Sequence, residues 1–421
     1  MKHGIFLILT LLSFGAFAQQ GSTLSLQEVQ QLAELHFPLL RQDDLQRQSH
    51  VLRQQNIKAD FLPDISLKGT ASYQSEVVQL PFSMPGVENP ELPNERWQLF
   101  LDISQPIYTG SSKAIRQALE EQQLVIDLQQ QQISLQQLKP LVQQQYFSVL
   151  LGRQSEEILQ SSRQLLAEKL QTLEAAVSGG IALPSEVLRV RSEISRLEQL
   201  LEETAARQLA SLQSLSLLTG TNISEETALL LPEFNQQAEG LDRPELQLFT
   251  MQSDQLASRS RLLQTQLKPA LSAFAQGGLG YPNPFNFFDA STSPYYQAGL
   301  KLQWQFWDWH KTSREQQQLS LQQQMLDAQQ SNLERNIRIR LEQLEADMAR
   351  YQAMIRQDEE LIGLQQEIRQ YASRQLDQGV ITSTDYLNDL HAEQTTRLNY
   401  SLHQMQLLQA RIAYLTEKGI Y

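Results

Sequence analysis

The side chains that could carry out chemistry are present, but their spacing does not assemble a reaction. The six histidines are His3, His36, His50, His310, His391 and His403, and none of them stands at zinc-ligand spacing from another. There is no G-x-S-x-G turn and no glycine-rich phosphate loop. The seven methionines are dispersed, and there is no cysteine. Carboxylates are numerous, but they lie scattered along helical segments as a solvated surface would have them. No catalytic residue, metal site or cofactor is therefore expected. Two acids have a more specific setting. Glu186 and Asp385 each follow a glycine and fall in the first turn of a helix, where a carboxylate opposes the positive end of the helix dipole.

Those two settings are copies of one another. Gly180-Ile181-Ala182-Leu183-Pro184-Ser185-Glu186-Val187-Leu188 matches Gly379-Val380-Ile381-Thr382-Ser383-Thr384-Asp385-Tyr386-Leu387, and 199 positions separate them. The same offset places Gln105-Pro106-Ile107-Tyr108 on Trp304-Gln305-Phe306-Trp307, while Phe61-Leu62-Pro63 answers Leu267-Lys268-Pro269 at a slightly larger one. The chain is expected to be two structural repeats, residues 19–220 and 243–421, joined by 221–242. The joining segment contains Leu229-Leu230-Leu231-Pro232, which reads as a short strand or packed linker.

Composition bounds the class. Met1-Lys2-His3, the apolar run Ile5 to Leu12 and Ala16-Phe17-Ala18 read as a signal peptide, residues 1–18. No later stretch reaches the ~20 apolar residues of a spanning helix, so the choice lies between a periplasmic protein and an outer-membrane β-barrel. A formal charge of −13 with no basic run makes nucleic acid an unsuitable partner. Only 41% of the 421 residues are hydrophobic and glutamine is abundant, which suits thin helical packing better than one thick core.

Each repeat then needs strands followed by helices. Ser25-Leu26-Gln27-Glu28 is a capping box opening a helix towards Phe61, with a kink or break at Pro38. Residues 64–74 alternate Ile65, Leu67, Gly69, Ala71 and Tyr73 with Ser66, Lys68, Thr70 and Ser72. Residues 77–95, rich in proline, form a loop, and 96–106 alternate again, with Phe100 intruding on the polar side. The second repeat shows strands at about 270–281 and 295–307 around a loop from Pro282 to Pro294. Its aromatics, including Tyr281, Phe285, Phe287, Phe288, Trp304 and Trp307, gather at the strand ends. Strands of roughly ten residues with aromatic ends suit a transmembrane barrel.

Long helices follow at 111–178 and 313–377, each able to reach about 100 Å. Ile337, Leu341, Leu344, Met348, Tyr351 and Ile355 step by 4 and 3, a heptad seam. Pro140 predicts a kink or a junction between two helices. Each long helix stops at glycine, and a return helix starts with Ser185, or with Ser383 or Thr384, as its N-cap. The result is two antiparallel hairpins with glycine tips.

Four strands cannot close a barrel, since the smallest need about eight. In lipid the open edges would leave backbone groups unpaired, so the chain must oligomerise. This order of elements resembles the TolC family of outer-membrane efflux proteins. The resemblance covers essentially the whole chain after residue 18. It rests on Leu62-Pro63, on the corner Gln105-Pro106-Ile107-Tyr108-Thr109-Gly110, on its partner Trp304-Gln305-Phe306-Trp307-Asp308-Trp309, and on the two glycine tips.

The resemblance implies a mainly α fold with membrane β. Three chains would each give four strands to a shared twelve-stranded barrel, and their antiparallel coiled-coil helices would form a periplasmic α-barrel. It implies a homotrimer set in outer-membrane lipid, docked on a periplasmic adaptor and an inner-membrane pump, and acting as a passive exit duct. By position, Gly180, Ile181, Gly379 and Val380 would touch the adaptor. Some relatives carry two acids one turn apart after the second tip, facing the pore. Here those places hold Asp385 and Asn388, with Asp389 beside them and Glu186 in the first copy. These four are the aperture candidates, and the departure at Asn388 implies a weaker or differently built acidic ring. The competing reading is a periplasmic adaptor or structural coiled coil. Adaptors have one hairpin flanked by Gly- and Val-rich β-domains, whereas this chain has two hairpins and two strand pairs. Within the duct reading, a protein-secretion outlet is the alternative to small-molecule efflux.

Overall fold

In the computed structural model, residues 23–77, 93–234, 240–286 and 289–421 are described. The expected signal peptide, most of the 77–95 loop, and Phe287 and Phe288 lie outside them.

The chain runs β1 (Thr23–Leu24), α1 (Leu26–His36), α2 (Leu40–Ala59), β2 (Asp64–Tyr73), β3 (Glu95–Tyr108), α3 (Ser112–Ser178) and α4 (Pro184–Thr219). It continues with β4 (Ala228–Leu229), α5 (Pro244–Thr265), β5 (Ala270–Tyr281), β6 (Ser293–Gln303), α6 (Lys311–Asp377) and α7 (Ser383–Glu417). The described residues fall into two units, and each unit draws on both halves of the sequence.

One unit comprises Pro38–Ser134 and Asp242–Ile337. Its sheet has the order β2-β3-β5-β6, antiparallel throughout. Alternation fixes which side chains share a face. Register aligns Leu67 with Leu101 and Leu99 with Leu279, so one face is aliphatic. The other face carries Lys68, Asp102, Gln276 and Gln297. Asp102 accepts a hydrogen bond from Gln276 at 2.8 Å and pairs with Lys68.

The strand read to residue 307 ends at Gln303. Gln303 is opposite Ala270, the first residue of β5, so Trp304 and its successors have no strand to pair with. Trp304 instead donates its indole N–H to the Leu267 carbonyl at 3.0 Å.

The helices of this unit are joined by glutamines. Gln54 donates to the Gln117 carbonyl (2.9 Å), Gln129 to that of Pro244 (2.9 Å), Gln131 to that of Leu39 (2.9 Å) and Gln323 to that of Ser253 (3.2 Å). A neutral amide can both donate and accept, so it links helices without the cost of burying a charge. Part of the chain's glutamine is used in this way.

The other unit comprises Met1–Phe37, Leu135–Leu241 and Arg338–Tyr421. One of its cores gathers Leu26 and Val29 of α1, Val142, Tyr146 and Phe147 of α3, Leu212 and Leu215 of α4, and Ile412 of α7. The joining segment enters this core as β4, which pairs in parallel with β1. The Tyr146 hydroxyl, buried and so pushed upward in pKa, lies 2.6 Å from the Leu230 carbonyl and 2.9 Å from that of Leu24.

Helix α3 runs through Pro140 without a break, so the expected junction is absent. A helix of 67 residues has enough other bonds to absorb the one that proline removes. Pro38 does separate α1 from α2.

Candidate functional site

The site is built where the two hairpins turn. The second hydrophobic core fixes this end: Leu159, Leu166 and Leu173 of α3 repeat every seven residues and meet Val190 and Leu197 of α4. Ala372 and Leu376 of α6 join Tyr386 and Leu390 of α7 in the same cluster. Tyr386 is fully buried, and that burial raises its hydroxyl pKa.

The two turns have one backbone design. The Gly180 N–H donates to the Val177 carbonyl (3.0 Å) and the Ile181 N–H to that of Ala176 (2.8 Å). The Gly379 N–H donates to the Leu376 carbonyl (3.0 Å) and the Val380 N–H to that of Gln375 (2.8 Å). These are Schellman closures, whose left-handed residue is the glycine, with φ +74° at Gly180 and +70° at Gly379. Neither glycine has a neighbouring atom within 4 Å of where a Cβ would stand. The residues that follow are solvent-facing: Ile181 is 83% exposed and Val380 67%. All four tip candidates are thus at the surface.

The helix starts differ from the expectation. At the first tip the N-cap is Leu183, with no side-chain cap, because Pro184 occupies N1 and its fixed φ starts the helix one residue earlier than Ser185. At the second tip the N-cap is Thr382 rather than Ser383 or Thr384. Thr382 and Asp385 form a reciprocal capping box: the Asp385 carboxylate accepts from the Thr382 hydroxyl (2.7 Å) and amide (3.0 Å). The Thr382 hydroxyl and amide hold the Asp385 carboxyl below its usual range.

Glu186 reaches from one hairpin to the other. Its carboxylate accepts the Ser383 N–H at 2.7 Å, capping α7 from outside. Beside it the Arg189 guanidinium donates to the Thr384 hydroxyl at 2.8 Å. Asp389, four residues after Asp385, lies on the same helix face. Partial burial raises its carboxyl pKa, and the Asp385 charge adds to the rise. Asn388 is exposed next to this pair. Two carboxylates one turn apart therefore do stand after the second tip, at 385 and 389.

Sequence reading missed the buried charges behind the tips. Glu193 accepts from Arg196 (2.9 Å) and lies 3.1 Å from His391. Glu393 accepts from Arg397 (2.9 Å) and from Arg369. Lys169 donates to Asp377 at 2.8 Å and sits 5.6 Å from the Tyr386 ring centroid. Their only sequence signal is an acid beside a heptad seam. Among the described residues, no cluster of His, Cys, Asp or Glu could hold a metal ion.

The arrangement places exposed backbone turns, crossed by one inter-hairpin carboxylate, at one end of a helical unit, and the sheet of the other unit bears an exposed aliphatic face. Residues 30–221 match the family model described as outer membrane efflux protein. No curated protein matches the chain.

The fold has solved counterparts. The outer membrane protein VceC of Vibrio cholerae gives a TM-score of 0.67 at 13% identity, covering 94% of this chain and 96% of that one. The CusC structures, described for conformational changes accompanying folding and transmembrane channel formation, give 0.72 at 14%, with 93% and 91% covered. The open state of the Neisseria gonorrhoeae MtrE outer membrane channel gives 0.67 at 13%, with 94% and 88% covered. Residues 30–221 therefore match the outer membrane efflux protein family, and the fold over most of the chain is that of these outer-membrane channels. This is a family of channels, not of enzymes.

Proposed function

We propose that the chain is one protomer of a homotrimeric efflux duct in the outer membrane, with its helices in the periplasm. One observation carries this reading: the sheet turns an aliphatic face outward. Leu67 is 69% exposed, Leu300 67% and Leu302 69%, next to Ile65, Leu99 and Leu101 on the same side. At about 25 cal/mol per Å², such a surface is strongly unfavourable in water and matches hydrocarbon. The opposite face is polar, as a water-filled lumen requires.

Strands β2 and β6 each have a free edge, and in lipid each unpaired backbone group costs several kcal/mol. Pairing β6 with β2 of the next copy removes both edges, and three copies close twelve strands. Helix α6 also exposes Leu361, Leu364, Ile368 and Tyr371 as a seam that no described residue covers, and a neighbouring protomer would cover it.

In this reading the two repeats, 19–220 and 243–421 with 221–242 between them, supply equivalent hairpins to the duct wall. Gly180, Ile181, Gly379 and Val380 meet a periplasmic adaptor, which couples the duct to an inner-membrane pump. Glu186, Asp385, Asn388 and Asp389 line the aperture. The test is the native mass of protein extracted from outer-membrane fractions in detergent. A particle of three chains that conducts ions in planar bilayers is expected. A water-soluble monomer refutes the proposal.

A further inference from the structure

Phe100 stands on the polar face of the sheet, where hydrocarbon has no evident use. Register sets it opposite Lys68 on one side and Gly278 on the other, and Gly278 is in turn opposite Tyr295. Gly278 has no room for a side chain: a Cβ there would stand 2.1 Å from the Leu99 carbonyl oxygen and 2.5 Å from the Phe100 Cβ. The missing side chain lets Phe100 and Tyr295 approach across β5, with ring centroids 6.4 Å apart at 54°. Phe285, from the β5–β6 loop, adds an edge-on contact with Tyr295 at 5.3 Å and 80°.

That loop segment is held in place. The Asn283 side-chain Oδ1 accepts the Phe285 amide (3.0 Å), and the Asp289 carboxylate accepts from the Asn283 side-chain amide (3.0 Å), from the Ser291 hydroxyl (2.6 Å) and from the Ser293 hydroxyl (2.7 Å). Phe285 nonetheless remains 58% exposed. Three rings therefore meet in a fixed, partly open cluster near the loop ends of the strands. The next row of the same face is polar, with Asp102, Gln276 and Gln297.

We propose that Phe100, Tyr295 and Phe285 form an aromatic stacking site on the lumen wall of the barrel, near its outer mouth, that retards planar aromatic cargo as it leaves. This rests on the duct reading, which turns the polar face towards the passage. Aromatic rings accept other rings edge-on or offset with little regard to their substituents, so the site selects flatness and aromaticity rather than one compound. Three protomers would place three such clusters at one level of the barrel and narrow it there.

The test compares two blockers of equal charge on the reconstituted full-length protein in planar bilayers: benzyltrimethylammonium and hexyltrimethylammonium. Both carry the same quaternary ammonium, so attraction of the cation to the rings cancels and the phenyl ring is isolated. Added from the side of the β5–β6 loop, the benzyl compound should remain about twofold to twelvefold longer per blocking event, the amount one ring–ring contact contributes. Phe100→Leu and Tyr295→Leu should each remove most of that ratio. Phe285→Leu, outside the strands, serves the same purpose if either strand variant does not assemble. Equal residence of the two blockers in the parent protein, or a ratio that survives all three substitutions, overturns the stacking site while leaving the duct standing. Absence of any trimeric channel overturns the duct reading first.

Discussion

Replacing Gly379 separates two ways in which a hairpin tip could matter. The position has φ +70°, and no atom lies within 4 Å of an added Cβ. A substitution there meets no steric clash, and its whole cost is conformational. An L-residue in the left-handed region costs about 1–2 kcal/mol, and more for a β-branched one, whereas asparagine tolerates that region. A cost of about 1–2 kcal/mol raises the population of the opened turn roughly 5- to 30-fold.

The amides that would report this are those of Gly379 and Val380, bonded to the Leu376 and Gln375 carbonyls. Hydrogen exchange at the tip peptide of Gly379→Ala should accelerate by about that factor, with Gly379→Val faster still and Gly379→Asn near the parent. The trimer should persist, because no buried contact is touched. Efflux, followed as resistance conferred on a host lacking its own duct, should fall in the same order. If Gly379→Asn is as defective in efflux as Gly379→Val while its exchange is normal, the partner reads the missing side chain and the conformational argument fails. Normal efflux in Gly379→Val refutes the role of the tip altogether.

Other substitutions test the charges behind the tips. Glu393→Ala should destabilise the helical unit by about 3–5 kcal/mol, since it strands the buried Arg369 guanidinium; a thermal melt within a degree of the parent refutes this. Asp385→Ala removes the return half of the α7 capping box and a candidate aperture charge, so single-channel conductance should rise or divalent-cation block weaken; unchanged values remove Asp385 from the aperture. Asp389 has a raised pKa, so its ionised form opposes folding above the ordinary carboxylate range, and both states are neutral well below it. Asp389→Asn should therefore be more stable than the parent at neutral pH, with the gap closing as pH falls. A gap that persists in acid refutes the titration. Tyr146→Phe removes the buried hydroxyl that donates to the Leu230 carbonyl and should cost about 1 kcal/mol in denaturant unfolding.

Much of this architecture is legible in the chain because its signals are periodic and local. Alternation in 64–74 identifies β2 and its faces, and the seven-residue recurrence of Leu159, Leu166 and Leu173 is what the core behind the tips uses. The tip glycines are legible because only a left-handed residue ends a helix in this way. What is not legible is non-local. Lys169 and Asp377 are far apart in sequence, and no period connects them. The parallel pairing of Thr23–Leu24 with Ala228–Leu229 is too short to leave a pattern. The start of α4 is hidden because proline at N1 overrides a nearby serine that looks like a cap. The end of β6 depends on where its partner strand begins, which no feature of residues 304–307 records.

The two strand-to-helix corners also show that a backbone can be kept while its residues change. The corner between β3 and α3 passes through Gly110 and Ser111, with φ of +63° and +74°. The corner before α6 passes through Trp309 and His310, with φ of +56° and +60°, and these are the same two positions one repeat later. Consecutive left-handed residues that are not glycine cost about 1–2 kcal/mol each, so something must hold the second corner. Asp308 accepts the Thr312 amide at 2.7 Å and so caps α6, and Arg314 donates to the Trp309 carbonyl at 3.0 Å. The Trp307 ring packs against both Trp309 (5.8 Å) and His310 (5.3 Å). What the corner conserves is a reversal of direction between strand and helix, and the first repeat achieves it partly with the freedom of glycine, the second with side-chain contacts. If so, Asp308→Ala should loosen the second corner, because it removes the cap that offsets two strained residues. The matching site in the first repeat is Thr109, where alanine substitution should have little effect, because the Thr109 carbonyl, and no side-chain cap, accepts the Ser112 amide. Hydrogen exchange over residues 309–315 and 110–116 measures both, and equal responses would show that the two corners are held by the same means.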